Sequence, residues 1–186
     1  MKIYPTIACC GLDCGLCPTY YTKGQSKCPG CYGPNFNSKH PSCSIITCCV
    51  KQNKFETCAQ CNEFPCSKLK DWDECDSFIC HRVSFYNLNL IKEIGIEEFI
   101  KQQSKRIRLL EVMLENFNEG RSKSFFCIAA ALLPIDDLDH ALNESNAQIK
   151  SEGIELNDLK TKSKMLKTVL TKYANKRNIV LKLRKK

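Results

Sequence analysis

The sequence predicts a mostly α fold on the α+β border. In it, an irregular, metal-stapled, cysteine-rich N-terminal module packs on a helical C-terminal part. Three observations lead there. Fourteen of the fifteen cysteines lie between Cys9 and Cys80, and only Cys127 falls outside. The same stretch is rich in Gly, Pro and Asn and has few regular apolar runs. Beyond it, apolar residues recur at three- and four-residue steps, the period of an amphipathic helix. These changes set the expected parts at residues 1–82 and 83–186.

The chain opens with "MKIYPTIACC", which lacks the apolar core of a secretory signal. No apolar run approaches the roughly 18 to 20 residues that a membrane span needs. The expectation is a cytoplasmic protein with no membrane contact. A reducing cytosol does not sustain a disulfide framework, so close cysteine pairs there point to metal or redox chemistry.

In "CGLDCGLCPTY", Cys10, Cys14 and Cys17 have the spacing that radical S-adenosylmethionine enzymes use for an iron–sulfur cluster. Such an enzyme needs a sizeable α/β barrel behind the motif. Cys17 leads instead into more cysteine knuckles and then helices, so the spacing alone does not carry that reading.

The remaining pairs are "CPGC" (Cys28, Cys31), "CSIITC" (Cys43, Cys48) and "CAQC" (Cys58, Cys61), with Cys66 after them in "FPC". A CxxC turn puts two thiolates on one side of a tight loop, where both reach one zinc ion at about 2.3 Å. Two sets can be drawn: Cys14, Cys17, Cys28 and Cys31, and Cys43, Cys48, Cys58 and Cys61. Cys10 and Cys66 either replace a member or bridge between sets, and spacing does not choose. Zinc, about two ions acting as structural staples, is the expected cofactor. An iron–sulfur cluster is the alternative, because cysteines preceding a proline (Cys17-Pro18, Cys28-Pro29) suit such ligation. Cys9 and Cys49 each double a neighbour and read as packed or spare thiols. His40, and Cys75 and Cys80 with His81, read as structural, with ligation as their sharper alternative.

From Asn87 to Phe117 the apolar spacing predicts a helix that Gly95 splits in two and that "NEG", with Gly120 at C′, closes. Ser122 or Ser124 is expected to cap a buried helix over Phe125–Leu133, and Cys127 within it reads as a core thiol. After Pro134, Asp136 or Asp137 is expected to cap a helix running towards Gly153. Leu159 to Tyr173 carries Met165, Leu166, Val169 and Leu170 on one face of a last helix. "NIVLKLR" is expected to finish as a short strand. "GRSKS" places Arg121, Ser122, Lys123 and Ser124 ahead of a helix N-terminus, a candidate anion site.

Of 28 Lys and Arg, eleven lie from Lys160 onward, where there is no Asp or Glu; the other 17 face all 20 acids. The formal charge of +8 therefore belongs to the tail. Nucleic-acid binding through it is one alternative, although no aromatic platform for base stacking accompanies the lysines.

The strings "CCGLDCGLCPTYYT", "CPGCYG", "CSIITCC", "CAQCNEFPCSKL" and "GRSKSFFCIAAALLP" resemble the cysteine-rich bacterial and archaeal family filed as domain of unknown function 3795. The family pattern falls on Cys10, Cys14, Cys17, Cys28, Cys31, Cys43, Cys48, Cys58, Cys61 and Cys66, with Cys9 and Cys49 additional to it. The resemblance implies a metal-binding protein, presumed to use zinc, with no established reaction. The functional expectation is a zinc-binding interaction or regulatory module with an unidentified protein partner. An iron–sulfur or thiol redox carrier is the runner-up. No catalytic residue emerges; an enzyme would need an open coordination position beside His40 or His81.

Overall fold

The computed structural model describes residues 2–40 and 42–185. Met1 and Lys186, the outer ends of the two predicted parts, lie outside the described residues. The helices are α1 (Ser44–Ile46, running on as a wider π turn over Thr47–Gln52), α2 (Ser84–Ile94), α3 (Ile96–Asn116), α4 (Lys123–Leu132), α5 (Ile135–Ser151) and α6 (Leu159–Lys176). Five single 3-10 turns punctuate the chain before α2. None of the described helices is long and apolar enough to cross a membrane.

The fold is mostly helical, and no strand forms among the described residues. The β component of the expected class is therefore corrected, and with it the strand in "NIVLKLR". A lone extended segment has no neighbour to complete its ladder. The Ile179 N–H instead turns back to the Ala174 carbonyl at 2.9 Å. Arg184 is held by Asp76, which accepts its N–H at 2.7 Å.

The chain gathers into two compact units, Met1–Gln103 with Leu183–Lys186, and Ser104–Lys182. The first unit owns an apolar core. Ile7, Phe36, Ile45, Ile46 and Leu69 from the cysteine-rich stretch are buried together with Leu88, Ile91 and Phe99 from α2 and the start of α3. That stretch thus buries more than its irregular sequence suggested. Its apolar residues are scattered singly or as the pair Ile45–Ile46, so no period reveals them.

A buried polar network fixes the loop that carries Cys10 and Cys14. Ser84 Oγ donates to the Cys10 carbonyl. Asn87 Nδ2 donates to the Gly11 carbonyl and to Asp13 Oδ2, both at 2.9 Å. Gln103 Nε2 donates to Asp13 Oδ1 at 2.7 Å and to the Thr6 carbonyl at 3.0 Å. Gly11 has φ +85, and a Cβ there would lie 2.2 Å from the Ser84 carbonyl oxygen. Only glycine allows this approach.

The second unit is built on α4, α5 and α6. Phe126, Cys127, Ala129 and Ala130 of α4 are buried, as the apolar run predicted. The caps differ from expectation. Ser122 stands at the N-cap of α4 without a capping bond, because its hydroxyl donates to Glu119. Pro134 takes the N-cap of α5, so Asp136 and Asp137 fall in the first turn, where the helix dipole favours them. α3 ends at Asn116, so Gly120 (φ +101) turns the following loop and does not occupy C′.

Candidate metal centres

All ten predicted ligands lie in the first unit, and its folding sorts them around two cavities. The larger, about 110 Å³, is lined by Cys10, Cys14, Cys17, Cys28, Cys31 and Cys43, joined by Cys9 and by His40. The smaller, about 30 Å³, is lined by Cys48, Cys58, Cys61 and Cys66, joined by Cys49. Cys43 and Cys48, paired in the sequence, therefore face different cavities. Cys10 and Cys66, which spacing left unassigned, each find a group. Turns do the local work. Cys14–Leu16 and Cys58–Gln60 are single 3-10 turns, each closed by a bond from the cysteine three residues on, Cys17 N to Cys14 O and Cys61 N to Cys58 O.

Long-range backbone bonds then bring the loops together. Cys58 N donates to the Cys9 carbonyl at 2.9 Å and Cys31 N to the Pro5 carbonyl at 2.8 Å. Gly30 (φ +82) permits the second contact, since a Cβ there would meet the Pro5 carbonyl oxygen at 2.3 Å.

The electrostatics of the two groups follow from burial. Burial pushes the Cys10 thiol up to about 12, with Cys9, Cys43 and Cys58 adding repulsion. Cys14 is half-buried as a residue, yet loss of solvent at its sulfur, reinforced by Cys10, Cys17 and Cys28, pushes it well above the usual thiol range. Cys17 is raised by burial against a 3.0 Å contact with Thr19 Oγ1. Thiols raised in this way hold their protons, which an ion binding there would have to displace.

Two further cysteines behave differently. Cys9 is held down to about 3 by hydrogen bonds from Cys31, whose sulfur lies at 3.8 Å, and from Cys49. Cys58 is lowered by a bond from Cys49. The donors Cys31 and Cys49 are correspondingly raised.

A buried cation accompanies them. Lys2 is 4% exposed and its Nζ donates to the Ile7 carbonyl at 2.6 Å. No carboxylate pairs with it among the described residues. Its charge acts on Cys9, Cys14, Cys31 and Cys58, favouring the thiolate at each. Lysines are seldom buried so deeply unless a counter-charge is near, and here sulfur is the available one.

No three Cys, His, Asp or Glu side chains among the described residues converge closely enough to hold one ion as they stand. The backbone gathers the thiols around two shared cavities. The donor chemistry, sulfur with a buried cation, fits a thiophilic metal.

The histidines divide. His40 lines the larger cavity and stacks on Phe36 with ring centroids 4.5 Å apart. His81 has both ring nitrogens engaged, Nδ1 with the Trp72 carbonyl at 2.9 Å and Nε2 with Ser77 Oγ at 3.0 Å. That leaves its ring occupied as a structural element. Cys75 and Cys80 line neither cavity.

In the second unit, Arg121 and Ser124 are exposed, Lys123 is half-buried, and Ser122 is fully buried against Glu119 and Ser163. The basic tail is partly spent on internal pairs. Arg177 binds Asp137, Lys172 binds Glu144 and Lys167 binds Glu119. Lys160, Lys164, Lys167, Lys172 and Lys176 also line one broad groove along α6.

Sequence reasoning missed Asp13, Asn87, Gln103 and Lys2. A signal existed for two of them: Asn87 and Gln103 interrupt apolar stripes, one residue before Leu88 and four after Phe99.

The family described as "Protein of unknown function (DUF3795)" matches residues 6–71, the stretch that carries all ten patterned cysteines. No curated protein and no solved structure matches the chain.

Proposed function

We propose that this DUF3795 protein binds metal at two separate thiolate centres, one in each cysteine-lined cavity, and that the metals staple the irregular part of the first unit. The observation that carries the reading is the sorting of the ten patterned cysteines onto two cavities, with none of them left outside. The ligand sets it favours are Cys10, Cys14, Cys17 and Cys28, which share the larger cavity, and Cys48, Cys58, Cys61 and Cys66, which share the smaller. Zinc suits both, as a redox-silent ion taking four thiolates. Structural zinc contributes about 10 kcal/mol or more per site to folding, which the many short turns before α2 would draw on. The organised surface then serves as an interaction or regulatory module.

A second reading rests on the size of the larger cavity. At about 110 Å³, against about 30 Å³ for the other, it has room beyond one ion and suits an iron–sulfur cluster at Cys10, Cys14, Cys17 and Cys28. Elemental analysis of protein purified without oxygen, with a visible spectrum of the same sample, separates the two. Colourless protein with about two zinc ions per chain supports zinc at both centres. A brown sample with iron and acid-labile sulfide supports the cluster. A sample with neither metal refutes both readings.

A further inference from the structure

The polar side of α6 is a row of cations. Lys160, Lys164, Lys167, Lys172 and Lys176 line one broad groove, and all but the half-buried Lys167 are exposed. From Lys160 to Lys176 the row runs about 24 Å. Two members are balanced, Lys167 by Glu119 at 3.6 Å and Lys172 by Glu144. No carboxylate pairs with Lys160, Lys164 or Lys176 among the described residues. From Lys160 onward the sequence holds no Asp or Glu, so nothing on the helix itself offsets them.

What surrounds the lysines narrows the partner. A helix lying on a membrane needs an apolar flank to bury among lipid. The apolar residues Leu166, Val169, Leu170 and Ala174 of α6 are already buried. A protein partner centres on an aromatic or aliphatic anchor, and none lines this groove. Single-stranded nucleic acid stacks its bases on exposed rings. Tyr173, the one aromatic of α6, instead carries the ammonium groups of Lys172 and Lys176 at 5.2 and 5.1 Å from its centroid. The Thr168 and Thr171 hydroxyls donate inward, to the Lys164 and Lys167 carbonyls at 3.0 and 2.8 Å. The ammonium groups are thus the principal donors on this face, and they suit a regularly repeated negative charge.

We propose that the lysine face of α6 docks on duplex DNA through its phosphates, without reading the sequence. About 24 Å of duplex carries about seven phosphates on each strand, enough to engage every lysine of the row. The major groove of B-form DNA admits an α-helix, whereas that of A-form RNA is too narrow for side chains to enter. The surface lies in the second unit, apart from the cysteine-lined cavities of the first, and does not depend on metal there.

The test is fluorescence anisotropy of a labelled DNA duplex of random sequence, titrated with the whole chain over a range of salt. Three to five phosphate contacts give a slope of log affinity on log salt of about −3 to −4.5. Affinity should then fall about 40- to 500-fold between about 50 and 200 mM salt. Lys160→Gln/Lys164→Gln/Lys176→Gln, which touches no ion pair, should flatten the slope by about 3. The same charge change on exposed lysines of the first unit, Lys23→Gln/Lys70→Gln/Lys92→Gln, should leave it unchanged. The wild-type slope needs no variant, and one flatter than about −2 overturns the proposal by itself. So do equal losses in the two triple variants, or equal affinity for duplex RNA, single-stranded DNA or anionic phospholipid vesicles.

Discussion

Replacing Asn87 with alanine tests how the first unit holds its cysteines. Asn87 is 5% exposed and uses its amide to satisfy two acceptors, the Gly11 carbonyl and one oxygen of Asp13, which is itself 5% exposed. Both belong to the loop between Cys10 and Cys14. Removing the amide leaves a buried carbonyl without that donor, at about 1–3 kcal/mol, and takes one bond from a buried carboxylate, at about 1.5–3 kcal/mol. The expected loss is about 3–5 kcal/mol, a large share of the roughly 5–15 kcal/mol that holds a domain together. Trp72, the only tryptophan, lies in the first unit and reports its unfolding. Guanidinium titrations at fixed metal loading should show a lower midpoint with an unchanged slope. Gln103→Ala removes the other amide donor to Asp13, so the double variant should be non-additive. A loss below about 1 kcal/mol, with additive effects, would mean that water reaches Gly11 and Asp13 and that the network does not position the loop.

Gly11→Ala and Gly153→Ala separate strain from collision. Both have positive φ, but a Cβ at Gly11 strikes the Ser84 carbonyl while one at Gly153 meets open space. Guanidinium titration followed by circular dichroism, which reads the helices of both units, should give about 1 kcal/mol for Gly153 and at least twice that for Gly11; equal losses refute the close approach. In the second unit, burial pushes the Glu119 carboxyl up, but hydrogen bonds from Ser122 and Ser163 outweigh it and hold it down to about 2. A depressed acid stabilises the fold above its unfolded value, near 4.5, and that contribution is lost as pH falls towards 2. Acid titration by circular dichroism should therefore show Ser163→Ala losing less stability than wild type over that window, having less to lose. Asp76→Ala strips an acceptor from the backbone N–H groups of both His81 and Arg184. It should cost about 2–4 kcal/mol and open residues 183–185 to carboxypeptidase, and an intact, protected C-terminus would refute the clasp.

The helices were legible because each buries one stripe, and a stripe repeats locally. Gly95 broke α2 from α3, the apolar run made α4, and Leu166, Val169 and Leu170 made the inner face of α6. Caps were less legible, since Ser122 could serve the helix or Glu119 and only the distant Ser163 decides. The cysteine turns were also readable, because CxxC spacing is local. Their grouping was not. Whether Cys43 joins Cys48 or Cys10 depends on where separate loops meet, and the deciding bonds, such as Cys58 N to the Cys9 carbonyl, span tens of residues. Lys2 gave no signal at all: a lysine beside an N-terminus reads as solvated until the loops close over it.

The apolar core bears on what the proposed metals would have to supply. In the simplest zinc module an unfolded chain collapses around the ion, and affinity is reduced by the full ordering cost of the ligand loops. Here Ile7, Phe36, Ile45, Ile46 and Leu69 pack with Leu88, Ile91 and Phe99. The network through Asp13 fixes one ligand loop and the bond to Pro5 fixes another. Packing then supplies part of the ordering, and binding at the proposed centres would exchange thiol protons for metal while stapling the loops that the core brings together. Buried neutral thiols such as Cys10 and Cys14 resist that exchange, whereas the lowered Cys9 and Cys58 and the buried Lys2 favour it. On the two-centre reading, metal should enter first beside Lys2, the buried cation, and then spread to the more desolvated cysteines. Stopped-flow Co2+ binding should resolve two phases, and Lys2→Met should slow the faster one; a single phase indifferent to that substitution would refute the order.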